Sequence, residues 1–139
     1  MFALFPHTEE ILRIDRRVLV SVRRIESVPS QLSEQLFLYL AVSPTAISAT
    51  LIREEEKVQK PVYYASRALR GAKERYPPME KLAFALVMAA RKLKPYFQAH
   101  TVVVLTDRPL RRAMSNPDAA RRLVLWVIEL SEFNIQYRP

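Results

Sequence analysis

With 139 residues, half of them apolar, the chain has room for one ordinary domain with a hydrophobic core, but not for two. It contains no cysteine, which excludes a disulfide framework, a thiolate zinc site and thiol catalysis. Residues 1–35 carry five basic and five acidic side chains, so the whole formal charge of +8 lies in the remainder, where 17 basic side chains face nine acidic ones.

A basic globular part is what phosphate binding by counterion release requires; a soluble surface that happens to be basic meets the same count. The opening segment Met1-Phe-Ala-Leu-Phe-Pro6 is too short for a secretory core and has no basic stretch before it. No apolar run approaches the roughly 20 residues of a membrane span. The expectation is an intracellular protein, cytoplasmic or nuclear, with no membrane partner. Gly71 is the only glycine, which removes Gly-rich phosphate loops and with them the P-loop and dinucleotide-binding readings.

Along the chain, residues 1–35 form an unassigned extension, within which Val18 to Ile25 alternates weakly and reads as strand, helix or neither. From Leu36 to Ser43 the apolar run predicts a buried strand, and Pro44-Thr45 a turn. Ala46 to Arg53 sets Ile47, Ala49 and Leu51 on one face against Ser48 and Thr50 on the other, the period of a second strand that closes a hairpin. Glu54 to Lys57 is a charged loop tip. Lys60 to Ser66 is a third strand with Pro61 near its start, and of Tyr63 and Tyr64 one faces the core.

Pro77-Pro78 opens a helix in which Leu82, Leu86, Ala90 and Leu93 recur at helical spacing and should pack on the sheet, with Pro95 ending it. Thr101 to Thr106 is too continuously apolar for a surface strand and predicts a central, parallel one. Asp107 stands at its carboxyl end, where ligand sites of open α/β sheets gather. A short helix over Leu110–Met114, a turn and helix start at Asn116-Pro117-Asp118, a helix with Leu123, Trp126, Val127 and Leu130 on one face, and a strand over Phe133–Tyr137 complete the order.

Four ordered segments carry a family resemblance: Pro61-Val-Tyr-Tyr-Ala-Ser66-Arg67-Ala-Leu69, Tyr76-Pro-Pro-Met-Glu80-Lys81-Leu82-Ala83, Thr106-Asp107-Arg108-Pro109-Leu110, and Glu129 to Pro139. Together they resemble the ribonuclease H-like domain of gypsy-class LTR retrotransposon reverse transcriptase polyproteins, over about Leu36 to Pro139. The resemblance implies an α/β ribonuclease H-like fold: a mixed sheet of about five strands, three antiparallel and then parallel, with flanking helices. It also implies a domain spanning 36–139 that is truncated at its C-terminus.

The chemistry of that family is in-line attack of water on a phosphodiester, assisted by two divalent cations about 4 Å apart, for which magnesium suits oxygen ligands. Carried over residue by residue, Glu80 takes the place of the helix carboxylate and Asp107 that of the fourth-strand carboxylate, as catalytic and metal-binding candidates. Leu40-Ala41-Val42-Ser43 stands where the family has Thr-Asp-Ala-Ser, so Ala41 replaces the first-strand acid. Pro44 occupies a place often held by a second Asp, and the late-helix Asp would fall beyond Pro139. Half of the metal cage is missing, and Glu80 and Asp107 are vestigial in this reading. Read as plain structure, Glu80 complements the dipole of its helix, worth about 0.3–1 kcal/mol, and Asp107 caps or turns the segment before Arg108.

His7 and His100 are too isolated for a metal site or triad and read as surface or loop residues. The serines have no paired histidine motif. Arg91-Lys92 with Lys94, Arg111-Arg112 and Arg121-Arg122 are candidates for sugar-phosphate contacts, or else solvated helix faces.

The favoured function is a catalytically inactive connection or scaffold module, similar to the decayed copy that some plant gypsy-class elements keep beside an intact domain. Its partners would be an RNA–DNA hybrid, reverse transcriptase or a neighbouring ribonuclease H domain. The alternatives are an active RNA–DNA hybrid endonuclease using Mg2+, and an interaction module or transposon remnant that binds no nucleic acid. The chain has no Tyr-x-Asp-Asp polymerase motif.

Overall fold

The computed structural model describes the backbone of residues 9–15 and 18–24 and the whole of residues 35–139. The opening Met1–Pro6 segment, His7 and Ile25 lie outside the described residues.

Two strands precede the part that carries the resemblance, β1 (Glu9–Asp15) and β2 (Val18–Arg24). Then come β3 (Leu36–Val42), β4 (Ala46–Glu55) and β5 (Val58–Ala68). A 3-10 turn over Gly71–Arg75 leads into α1 (Pro78–Lys92), α2 (Lys94–Ala99) and β6 (Val102–Leu105). The chain closes with α3 (Leu110–Met114), α4 (Arg121–Leu130) and β7 (Ile135–Arg138). The strands form one sheet in the order β1-β2-β5-β4-β3-β6-β7.

The five strands from β3 onward are those expected, with β3, β4 and β5 antiparallel and β6 and β7 parallel to β3. The extension adds a hairpin, β2 pairing antiparallel with β5 from Val20↔Arg67 to Arg24↔Tyr63. It thereby covers a sheet edge that would otherwise present unpaired N–H and C=O groups.

Ser43 makes the β3–β4 turn: its Oγ accepts the Ala46 N–H at 3.0 Å, while its own N–H donates to the Ala46 carbonyl at 2.8 Å. The β4–β5 turn is tighter, with Glu56 and Lys57 at φ 52° and 68°, a left-handed pair that non-glycine residues rarely adopt. Pro61 lies further inside its strand than expected, because β5 already begins at Val58. The ladder between β4 and β5 slips at Leu51/Ile52, opposite Pro61, whose ring nitrogen has no proton to donate.

α1 is buried from Lys81 through Ala90, more completely than packing on a sheet alone requires. One side of it rests on β3 and β4 and the other on α3 and α4, so Leu82, Leu86 and Ala90 share the core with Phe84 and Met88. The expectation for Pro95 is corrected. α1 ends at Lys92, and Pro95 sits in the first turn of α2, where a missing N–H costs nothing. His100 lies in the loop between α2 and β6, as one of its two readings has it, but the surface reading is corrected: it is only 8% exposed, and its N–H donates to the Tyr96 carbonyl at 3.0 Å. α4 starts at Arg121 rather than at Asp118; Asn116 Oδ1 accepts the Asp118 N–H at 2.9 Å and holds a separate turn. Ile135 opens the last strand, while Phe133 packs edge-on against Phe97 with ring centroids 5.7 Å apart.

Candidate nucleic-acid interface

β3 and β6 run parallel, and their last joined pair is Tyr39↔Leu105. Two residues past that pair stand Ala41, still within β3, and Asp107, in the bend that follows β6, and both are exposed. Ala41 pairs across the hairpin with Ser48 and offers only a methyl group. The Asp107 carboxylate makes no hydrogen bond or ion pair among the described residues. Its expected role as a cap is corrected: α3 is preceded by Pro109 with no side-chain cap, and Thr106 Oγ1 accepts the Arg108 N–H at 3.1 Å in its place.

Glu80 lies in the first turn of α1, as its helix-dipole reading requires. Its Oε1 accepts a hydrogen bond from Arg122 Nε at 2.8 Å, and the Arg122 guanidinium stacks over the Tyr76 ring at 4.1 Å. The Glu80 side chain is only 16% exposed in this ion pair. Lys81, buried beside it, donates to the Pro44 carbonyl at 2.9 Å and ties α1 to the β3–β4 turn. Ser43 is spent on that same turn.

These residues do not fit a two-cation cage. Magnesium needs several converging oxygens, whereas here one position is a methyl, one carboxylate is held by a guanidinium, and one stands alone. No group of three or more His, Cys, Asp or Glu among the described residues has the arrangement of a metal site.

What surrounds Asp107 is basic. A cavity of about 480 Å³ at the ends of β6 and β7 is lined by Asp107, Arg108, Arg111, Arg112, Tyr137 and Arg138, among others. Burial pushes the Tyr137 phenol above its ordinary pKa, against the pull of Arg111. Arg111 and Arg112 are both exposed there, free to meet an anion.

The other basic candidates divide. Arg121 and Lys94 are exposed. Arg91 clamps Glu129 through two bonds of 2.7 and 2.8 Å, joining α1 to α4; this raises the Arg91 pKa and lowers that of Glu129. Lys92 is half-buried and has its pKa lowered by burial first, and then by Arg67 and Arg91. Arg91, Lys92 and Arg122 line a second cavity of about 500 Å³ that shares no lining residue with the first.

Two further lining residues, Arg67 and Lys73, escape a search for adjacent basic pairs. Arg67 was legible in another way. It continues the odd-numbered face of β5 after Tyr63, which packs against the core, and Ala65, which belongs to it, so period-two alternation points it inward.

Residues 31–133 match the family model described as the RNase H-like domain found in reverse transcriptase. The chain is 32% identical over 98 residues to the retrovirus-related Pol polyprotein from transposon opus of Drosophila melanogaster, a match that takes in 68% of this chain and 10% of that protein. It thus spans about a tenth of that relative's length.

Among solved structures, the foamy viral protease-reverse transcriptase in complex with dsDNA superposes with a TM-score of 0.61 at 20% identity, covering 81% of this chain and 24% of that one. The same protein in complex with an RNA/DNA hybrid gives 0.59 at 20% identity, over 76% and 15%. Strand order, the ordered motifs and the family match agree: this chain belongs to the RNase H-like domain family of reverse transcriptases, of the kind carried in retrotransposon and retroviral Pol polyproteins.

Proposed function

We propose that this domain is a non-cleaving module of a gypsy-class, plant-type reverse transcriptase, one that holds nucleic acid by its phosphates and helps to position an RNA–DNA hybrid. The observation that carries the reading is the fate of the acidic positions: a methyl at Ala41, Glu80 locked to Arg122 at 2.8 Å, and Asp107 without an acidic neighbour in the arrangement of a metal site. Loss of a bridging acid removes the electrostatic stabilisation that phosphodiester cleavage depends on, and no Mg2+-assisted step is assigned to the domain. Backbone binding needs only positive charge at the surface, and the +8 of residues 36–139 supplies it. Foamy viral relatives of the same fold are known in complexes with dsDNA and with an RNA/DNA hybrid, which supports the choice of ligand.

A protein partner is favoured by a separate observation. On the outer side of α4, Val124, Leu125 and Ile128 are 43%, 52% and 62% exposed, an apolar face that a polymerase or a neighbouring ribonuclease H domain would cover in a polyprotein.

The two roles separate in a titration of a fluorescent RNA–DNA hybrid at increasing salt. Backbone binding predicts an affinity that falls linearly in log–log form, with a slope of about −0.9 for each phosphate neutralised. Salt-independent binding, or none, would leave the protein-partner role.

A further inference from the structure

The second cavity lies over the seam where α1 meets α4, and Arg67 from the end of β5 and Lys73 from the 3-10 turn also line it. Its floor is aromatic. Phe84 stacks on Trp126 with centroids 5.3 Å apart and planes 13° from parallel, so one face of the Phe84 ring is occupied. The Arg67 guanidinium and the Lys73 ammonium lie 5.0 and 5.3 Å from that same ring's centroid. Two cations crowd one ring.

Five basic side chains line this cavity, and no acidic one does. Arg91 and Arg122 are answered from outside it, by Glu129 and Glu80. Arg67 is not: its Nε is buried with no hydrogen-bond partner. Lys92 makes no ion pair among the described residues. Burial and then the nearby Arg91 lower the Arg67 pKa, and burial and then Arg67 and Arg91 lower that of Lys92, so the site already labours under its own positive charge. Cation–π attraction accounts for where Arg67 sits. It does not account for an unused guanidinium donor beside a second unanswered cation, an arrangement that costs stability unless an anion enters.

We infer that this cavity is a phosphate-binding site, in which Arg67 and Lys92, backed by Lys73, hold phosphoryl oxygens of a nucleic-acid strand laid across α1 and α4. A guanidinium suits this task because its planar donors match two phosphate oxygens at once. The inference rests on the proposed nucleic-acid role and gives it a location, away from Asp107.

Trp126 is the only tryptophan and lines the cavity, so its fluorescence reports occupancy directly. The probes are inorganic pyrophosphate and a short RNA–DNA hybrid, titrated into the full chain and into Arg67→Met, Lys92→Gln and, as a control at the β4–β5 turn, Lys57→Gln. The expected result is a saturable Trp126 response to both probes. Arg67→Met and Lys92→Gln should each weaken pyrophosphate binding about tenfold, the worth of one charge-assisted contact. Each should also lower the hybrid's salt slope by about one. Lys57→Gln should change neither.

Lys92→Gln keeps the test decisive if Arg67→Met does not fold. A silent Trp126, or variants that bind both probes like the parent, would overturn the inference while leaving hybrid binding elsewhere intact. Variants that lose pyrophosphate but keep the full hybrid slope would overturn the strand assignment. A parent that binds pyrophosphate but no hybrid would support a site for free phosphate and contradict the proposed function.

Discussion

At position 41 a methyl group stands two residues past the last joined pair of β3 and β6, and Asp107 stands two residues past the same pair, in the bend that follows β6. Ala41→Asp would therefore bring a second carboxylate to the end of the β3–β6 pair that Asp107 follows. Without metal their repulsion should lower stability by roughly 1 kcal/mol. With millimolar Mn2+ the variant should recover, because a cation that binds only the folded state stabilises it by mass action. Thermal melts with and without Mn2+ check this: the variant's midpoint should rise with metal and the parent's should not. A variant indifferent to Mn2+ would show that the strand ends have drifted from that geometry. The motif residues around Glu80 and Asp107 were visible in the sequence; the partners that define their state were not. Glu80 and Arg122 are 42 positions apart, and only the packing of α4 on α1 brings them together. His100 likewise reads as an isolated polar residue, yet the α2–β6 junction buries it.

Among the elements, the ones legible in advance are those whose own pattern decides them: β4 by alternation, α1 by its helical stripe, β3 and β6 by their continuous apolar runs. The β1–β2 hairpin was not legible, since Val18 to Arg24 alternates weakly and its partner β5 lies some 40 residues ahead. Pro95 misled because a proline that ends one helix is equally suited to start the next.

The α1–α4 pair carries a prediction of its own. Glu129, through its hydrogen bond to Arg91, has its carboxyl held below the ordinary value of 4.5. A depressed folded pKa means that the contribution is present in full above the unfolded value and is lost as pH falls through the folded one. Arg91 is 47% exposed and Glu129 35%, which limits the pair to about 0.5 kcal/mol. Glu129→Gln should be less stable than the parent by that amount in urea near neutrality, and equal to it in acid below the carboxylate range. A deficit that persists unchanged in acid would assign the loss to packing and not to charge.

Over the whole molecule, the fold and the charge point the same way, and the acidic positions do not. The sheet and its covering helices are those of the RNase H-like domain found in reverse transcriptase, and the net charge of +8 lies within residues 36–139. Two basic cavities flank the α-helical side and the strand ends, lined by Arg67, Lys73 and Lys92 in one and by Arg111, Arg112 and Arg138 in the other. What a cleaving domain needs in addition, several free carboxylates converging on one point, is absent among the described residues. The proposed role is binding without cutting. It is tested by incubating the purified chain with a labelled RNA–DNA hybrid in Mg2+ and in Mn2+, with bound and cut fractions scored on the same samples. Salt-sensitive binding with the RNA strand intact is the predicted result. Metal-dependent cleavage that disappears in Asp107→Asn would contradict it and restore Asp107 to a catalytic role.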